Sequence, residues 1–502
     1  MLNISSEKWK LKVMEGEEEL SLESPLIPGS NGKEVGGDKC FGKSEIVEEM
    51  KKQLWLAGPL TCVSFLQFSL QVISIMFVGH LGELPLASAC LGTSFASVTG
   101  FSLMTGMGSA LDTLCGQSYG AKQYHMLGIH MQRGMFVLLL VGIPVAYIWD
   151  NTSNILMTLR QDPDISKGAG HYVHYMIPSV FAFGLLQCLN KFLQAQNNVF
   201  PMMIISGITT LLHFPVCWFL VFKSGFGNKG AALAMDISYW TCVLLLAIYI
   251  KFSAACKLTW TGFSREAFHN IISFLRLGIP SAFMVCIEFW TFEAMVLMSG
   301  LLPDPQLETS TLSIILNTCC LTFNISFGLS CTASTRVSNE LGAGRPQAAR
   351  LAVQSVLLIA TVDGTVLGLA MILLRDCWGY LFSNEERVAR HVASIIPLLA
   401  VTIFLDGYQC ALTGIIRGSG MQKLAVYINI GAYYLIGIPV AIISAFVLHI
   451  GAKGLWLGIV CALFAQVLSF LIVTMRTNWN QEAKKALDRV LISSDISVDS
   501  IA

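Results

Sequence analysis

Residues 113–123, TLCGQSYGAKQ, are answered in the second half of the chain by residues 335–350, TRVSNELGAGRPQAAR. At an offset of 222, Gly106, Thr113, Gly120 and Ala121 fall on Gly328, Thr335, Gly342 and Ala343. The echo extends in both directions. Pro59 and Gly79 fall on Pro280 and Gly300 at 221, Gln187-Cys188 falls on Gln409-Cys410 at 222, and Pro215-Val216, Gly227 and Lys229-Gly230 fall on Pro439-Val440, Gly451 and Lys453-Gly454 at 224. So constant an offset marks an internal duplication, and a duplicated membrane domain places its binding site between the copies.

That the duplicated unit is membranous follows from composition. The 502 residues are 54% hydrophobic and 13% charged, which fits a soluble globular protein poorly. Between residues 53 and 476 the chain offers twelve windows of about 20 apolar residues, each long enough to span the hydrocarbon core as a helix. The fold class expected is an all-α membrane protein, with twelve transmembrane helices in two pseudo-symmetric six-helix lobes around a central cavity. The organisation reads as a disordered cytosolic tail over 1–49, an N-terminal lobe over 50–250, a cytosolic linker over 251–269, a C-terminal lobe over 270–476 and a second disordered tail over 477–502. Because six is even, both lobes share one orientation, related by an axis along the membrane normal.

Orientation follows from the loops. With both tails cytosolic, the inner loops hold Lys122, Arg133, Lys191, Lys251, Lys257, Arg265, Arg276, Arg336, Arg345, Arg350, Arg417 and Lys423 against Glu266 and Glu340, in keeping with the positive-inside rule. The sequon Asn151-Thr152-Ser153 would then face outward, close against the membrane. Basic and acidic residues balance at 32 each, which gives no reason to expect a nucleic-acid partner. Fifteen cysteines without a CxxC pair read as small helix-packing residues.

Six acids lie within or at the edges of the spans: Asp112, Asp236, Glu288, Glu293, Asp363 and Asp406, with no Lys or Arg in the middle of any span. A carboxylate taken out of water without a cation takes up a proton or recruits an ion, which makes it a switch for a proton-driven machine. Helical spacing places Ser281, Glu288 and Thr291 on one stripe, Thr402, Asp406, Gln409 and Thr413 on another, and Asn317 with Asn324 on a third. These stripes can converge on one polar pocket, with Glu288 and Asp406 as coupling residues and Asn317, Asn324, Thr402 and Gln409 in support. Such polar groups also serve as interhelical glue. Glu293, five residues from Glu288 and so about 140° round the helix, is accessory. The first half lacks this chemistry: Ser64, Gln67, Gln71 and Ser74 form its stripe, and Gln67, the repeat partner of Glu288, cannot titrate.

Pro59 and Pro280 remove backbone hydrogen bonds near the starts of the first and seventh spans, where they mark either helix starts or bends. The expected switch is a protonated Glu288 that loosens its hold on the eighth or tenth helix, lets the seventh bend and shrinks the cavity. Trp290 and Phe292, with Gln67 and Gln71, are the expected substrate wall, suited to a flat organic molecule, although aromatic residues in such helices also face lipid. His171 and His174 sit at metal-ligand spacing but read as interfacial, so no metal is expected.

The motifs TLCGQSYGAKQ and TRVSNELGAGRPQAAR, at matching points after the second and eighth helices, resemble the multidrug and toxic compound extrusion (MATE) family, and most of all its plant DETOXIFICATION branch. The likeness covers about residues 50–476. It implies a secondary antiporter that exports organic compounds such as xenobiotics, alkaloids, flavonoids or phenolics in exchange for protons or sodium, protons in plants. The resemblance also assigns the cation role to second-half acids, hence to Glu288 and Asp406; the aspartate that some bacterial members carry in the first helix is missing here. So is the long cytosolic loop of some citrate exporters, which argues against citrate. No cofactor is implied, the proton gradient being the energy source. The partners implied are small organic substrates, protons and the bilayer of the plasma or vacuolar membrane, for a monomer with cytosolic termini.

GAGRP does not match a P-loop, so ATP drive is unsupported. A two-lobe lipid flippase or another secondary carrier shares the architecture; the cavity reads as acidic or neutral rather than rich in arginine. For an enzyme, GQSYG (116–120) matches GxSxG, but it follows a helix where a nucleophile elbow needs a strand, so Ser118 is not expected to act and no catalytic residue is assigned. Twelve duplicated spans speak against a receptor.

Overall fold

Each apolar run folds as a helix, because in hydrocarbon every backbone group must be bonded within its own segment. The computed structural model describes residues 41–382 and 385–499. Its spans are α1 (Lys43–Gly79), α2 (Glu83–Gly120), α3 (Tyr124–Asp150), α4 (Pro163–Tyr175 and Ile177–Ala195, meeting at 50°), α5 (Phe200–Lys223) and α6 (Asn228–Phe252) in one lobe. The other lobe holds α7 (Ile271–Ser299), α8 (Gln306–Gly342), α9 (Pro346–Leu381), α10 (Glu386–Ser419), α11 (Gln422–Val447) and α12 (Ala452–Arg476). A last helix, α13 (Trp479–Asp499), follows. The bend in α4 falls at Met176, just before Pro178, whose missing N–H suits a helix start and not a helix interior.

The duplication is visible as duplicated contacts. Gly106 of α2 lies against the backbone of Ala282 in α7, and its repeat partner Gly328 of α8 lies against Thr61 in α1. Gly120 packs on the backbone of Asn339, and Gly342 packs in the same way on Gln117. At each of these glycines a Cβ would collide with the neighbouring helix. Small residues that let backbones touch are the usual currency of helix association in membranes. The second pair, Gly120–Asn339 and Gly342–Gln117, seals one end of the bundle where α2 meets α8.

Several sequence expectations change. Pro59 and Pro280 start no helix: α1 begins at Lys43 and α7 at Ile271, so both prolines lie inside continuous helices. The tail expected over 1–49 lies outside the described residues as far as residue 40, but from Lys43 onward it is helix. Glu49 there is buried and takes two bonds from Arg336, at 2.8 and 2.9 Å. Nor is the segment from 479 a disordered tail. Ala483, Ala486 and Val490 of α13 are buried, and Arg489 Nη1 donates to Gln117 Oε1 and to the Ser419 carbonyl, both at 3.1 Å. The segment read as a linker runs through two short 3₁₀ turns and is tied to α3, Gln132 Nε2 donating to the Gly262 carbonyl at 2.8 Å.

Candidate substrate and coupling site

Between the lobes lies a cavity of about 230 Å³. Its wall takes Ser64, Gln67, Phe68 and Gln71 from α1, Phe101, Ser102 and Thr105 from α2, Phe183 and Gln187 from α4, and Tyr239 from α6. The other lobe supplies Val285, Glu288 and Phe289 from α7, Phe323, Asn324, Phe327 and Ser330 from α8, and Gln409, Cys410, Thr413 and Arg417 from α10. Two repeat pairs thus face one another across the axis, Gln67 with Glu288 and Gln187 with Gln409. The approach of Phe101 and Ser102 depends on a π-helical turn at Ser97–Phe101, whose extra residue re-aims the side chains of α2.

Glu288 Oε2 accepts from Gln409 Nε2 at 2.9 Å, and Gln409 Oε1 is buried without a partner. Asp406, one turn before Gln409 on α10, is buried, makes no hydrogen bond among the described residues and lies within electrostatic reach of Glu288. Asn324 joins the lobes: Ser64 Oγ donates to its Oδ1 at 2.6 Å. Beneath the cavity floor, Thr113 Oγ1 donates to the Arg417 carbonyl and Gln117 Nε2 to the Gly418 carbonyl, so α2 closes against the end of α10.

Other predicted site residues lie elsewhere. Asn317 is exposed and donates to the Ser313 carbonyl of its own helix, two turns from Asn324. Thr402 is spent on Trp456, accepting its indole N–H at 3.0 Å. Trp290 points outward, its Nε1 donating to the Val98 carbonyl at 3.0 Å, and Phe292 packs edge-on against Trp456 in the core of the second lobe. Rings from other helices make the aromatic wall: Phe101 and Phe183 are 4.8 Å apart, Phe183 and Tyr239 5.6 Å, and Phe323 and Phe327 5.7 Å.

The expected absence of cations at depth also fails. Lys191, read as a loop residue, is buried in α4 and pairs with both oxygens of Asp112 at 2.9 and 3.0 Å. Arg417, read the same way, lines the cavity within electrostatic reach of Glu288. Asp363 accepts from Ser326 at 3.3 Å and adds to the field at Asp406. Among the described residues the oxygens of Asp236 are buried in the first lobe without a hydrogen-bond partner. His174 is exposed and bonds Asp150 at 2.7 Å, and among the described residues no three His, Cys, Asp or Glu side chains gather as a metal site. Ser118 is buried within helix α2, with no elbow to expose it.

Comparison with known proteins decides the family. The MatE family model matches residues 59–219 and again 280–443, and Protein DETOXIFICATION 16 of Arabidopsis thaliana is 59% identical over 454 residues, covering 90% of this chain and 93% of its own length. The chain belongs to the MATE family. Protein DETOXIFICATION 15 of the same plant is 52% identical over 96% of this chain and 98% of its own. The crystal structure of the eukaryotic MATE transporter AtDTX14 superposes with a TM-score of 0.86 at 43% identity, covering 89% of this chain and all of that one. The two segments that match the MatE model fall one in each half of the chain. As a MATE protein the chain is a multi-pass membrane transporter of the efflux type that handles small organic substrates, and it is no enzyme.

Proposed function

We propose that this chain is a proton-coupled antiporter that exports plant secondary metabolites or xenobiotics from the cytosol by alternating access. The observation that carries the reading is the Glu288–Gln409 pair in the cavity wall, with Asp406 beside it and, among the described residues, without a hydrogen bond of its own. An intramembrane acid is functional by default, and Glu288 opens onto the cavity between the lobes.

The pair also gives the switch a direction. An ionised Glu288 only accepts hydrogen bonds. A protonated one can donate to the orphan Gln409 Oε1 while still accepting from Nε2, making two bonds where there was one. Protonation therefore tightens α7 onto α10, where the sequence reading had expected it to loosen. Pro280, inside α7, is the point at which the helix gives, and the cavity shrinks as α7 moves. Alternating access then exchanges proton for substrate. Pro59 gives α1 the same freedom in the other lobe. The basic ends and the sealed end face the cytosol of a plasma or vacuolar membrane, and the single chain is the working unit.

The test is transport by the purified chain in liposomes with an imposed pH gradient. Efflux of fluorescent plant phenolics should follow the gradient in wild type and fall at least about tenfold in Glu288→Gln and Asp406→Asn, as removal of a group needed in every cycle requires. Gradient-driven flux unchanged in Glu288→Gln would end this reading.

A further inference from the structure

Arg417 is the most unusual side chain in the cavity. It is 6% exposed and lines the wall, yet among the described residues its guanidinium makes no hydrogen bond and no ion pair, and its Nε is buried without an acceptor. The two other buried cations among the described residues have partners: Lys191 holds Asp112, and Arg133, whose Nε likewise lacks an acceptor, donates through its terminal nitrogens to His130 Nδ1 at 3.2 Å and to the Glu266 carbonyl at 3.3 Å. A guanidinium has five N–H donors in a rigid fork; that of Arg417 has its Nε–H buried without an acceptor, which is costly, while the side chain lines the cavity. Arg417 is kept in place by its backbone, whose carbonyl accepts from Thr113 and from Gln422 Nε2, the latter at 3.3 Å. Its side chain is left free at the cavity floor.

We infer that Arg417 is the substrate-binding donor of this transporter, and that the substrate is an uncharged planar aromatic molecule bearing an oxygen acceptor, such as a carbonyl or phenolic oxygen. The inference rests on the antiport reading for the charge of the substrate and on geometry alone for the donor. Aromatic walls around a carboxylate ordinarily suit an organic cation. Here Glu288 and Arg417 are the two formally charged groups in the lining, and the guanidinium offsets the attraction the carboxylate would exert. An anion fits Arg417 but not the exchange: a proton on Glu288 would strengthen the hold on an anion, so the two would travel together instead of replacing one another. A neutral acceptor takes the bond from Arg417 and stacks on Phe101, Phe183 and Tyr239. When α7 closes, it is displaced by loss of space, without electrostatic conflict.

Four probes on one ring system test this in the full chain held in lipid nanodiscs: 1-acetonaphthone, 1-ethylnaphthalene, 1-naphthoate and 1-naphthylmethylammonium, with binding read by fluorescence. Acetonaphthone should bind about tenfold or more tighter than ethylnaphthalene, the worth of a hydrogen bond to a charged donor. Arg417→Met should abolish that preference while leaving ethylnaphthalene unmoved, which separates loss of the donor from loss of the fold. Arg417→Lys should restore part of it, keeping a charge but not the fork. The ammonium probe should be the weakest in wild type and gain affinity in Arg417→Met. Equal binding of acetonaphthone and ethylnaphthalene, or a preference that survives Arg417→Met, overturns the assignment of Arg417. Tightest binding of the naphthoate or the ammonium probe overturns the assignment of a neutral substrate. Proton-driven flux that survives Glu288→Gln, with the acetonaphthone preference intact, would remove the exchange reading and leave the donor role of Arg417 standing.

Discussion

At the scale of single residues, charge at depth is legible and its partner is not. A carboxylate inside CIEFWTFE stands out because so few charged groups belong there, so Glu288 and Asp406 can be picked from the sequence. Lys191 and Arg417 were hidden for the opposite reason: lysine and arginine near a predicted helix end are what the positive-inside rule expects, so their burial leaves no mark. The aromatic wall was misplaced through proximity in sequence. Trp290 is two residues from Glu288, about 200° round the helix, and faces away, while rings from α2, α4, α6 and α8 meet in space without any local pattern. The Lys191–Asp112 pair carries a prediction of its own. Lys191→Met should destabilise the detergent-solubilised protein by about 3–5 kcal/mol, because it strands a buried carboxylate, and adding Asp112→Leu should recover most of that loss. Thermal unfolding followed by tryptophan fluorescence reads the difference. A double variant no better than the single one would mean that the pair does more than balance charge.

Among elements, the twelve spans were legible because length and apolarity suffice to define them, and their true ends were not. The apolar windows stop where water begins, while the helices run on: α8 continues through the polar TRVSNELG to Gly342. Helix α13 was missed although its pattern was in view. Trp479, Ala483, Ala486 and Val490 are spaced by four, three and four, an amphipathic stripe set among Lys484, Lys485 and Asp488. High polarity beyond the last span outweighed that periodicity. The helix ties the two lobes together at the seal, since Arg489 bonds Gln117 of α2 and the end of α10 at once. Burial lowers the pKa of Arg489 from its ordinary value, against the pull of Glu482. Replacing Arg489 by alanine removes two bonds, each worth about 1 kcal/mol net. Amide hydrogen exchange over residues 113–122 should then quicken by roughly fivefold or more. Exchange that does not change would show that α13 rests on the seal without holding it.

For the molecule as a whole, the constant offset in sequence predicted a two-fold relation, and the paired contacts Gly106–Ala282 with Gly328–Thr61 and Gly120–Asn339 with Gly342–Gln117 express it. The sequence could not say which end of the cavity these glycines close, because the repeat identifies equivalent positions and not their distance from the axis. A conformational prediction follows at this scale. Gly342→Ala places a methyl group against the Gln117 backbone, which cannot yield as a flexible side chain would. The strain, of order 1–3 kcal/mol for overpacking, should shift the balance away from the sealed state by about five- to 150-fold. A cysteine at Gln71, in the cavity wall, reports the shift: with the added methyl it should react less with an impermeant maleimide on one face of the membrane and more on the other. Unaltered sidedness would mean that the seal tolerates the group.

The same glycine contacts bear on leakage. Backbone pressed on backbone holds by dispersion, which loses a quarter to a half of its strength over a gap of about 0.5–1 Å. A seal of this kind has no comfortable half-open position, because a small parting forfeits much of its cohesion before water can enter to replace it. Such a contact therefore favours a closed or a fully parted arrangement over a half-open one. Closure at this end thus rests in part on residues that have no side chain, beside the side-chain bonds of Thr113, Gln117 and Arg489.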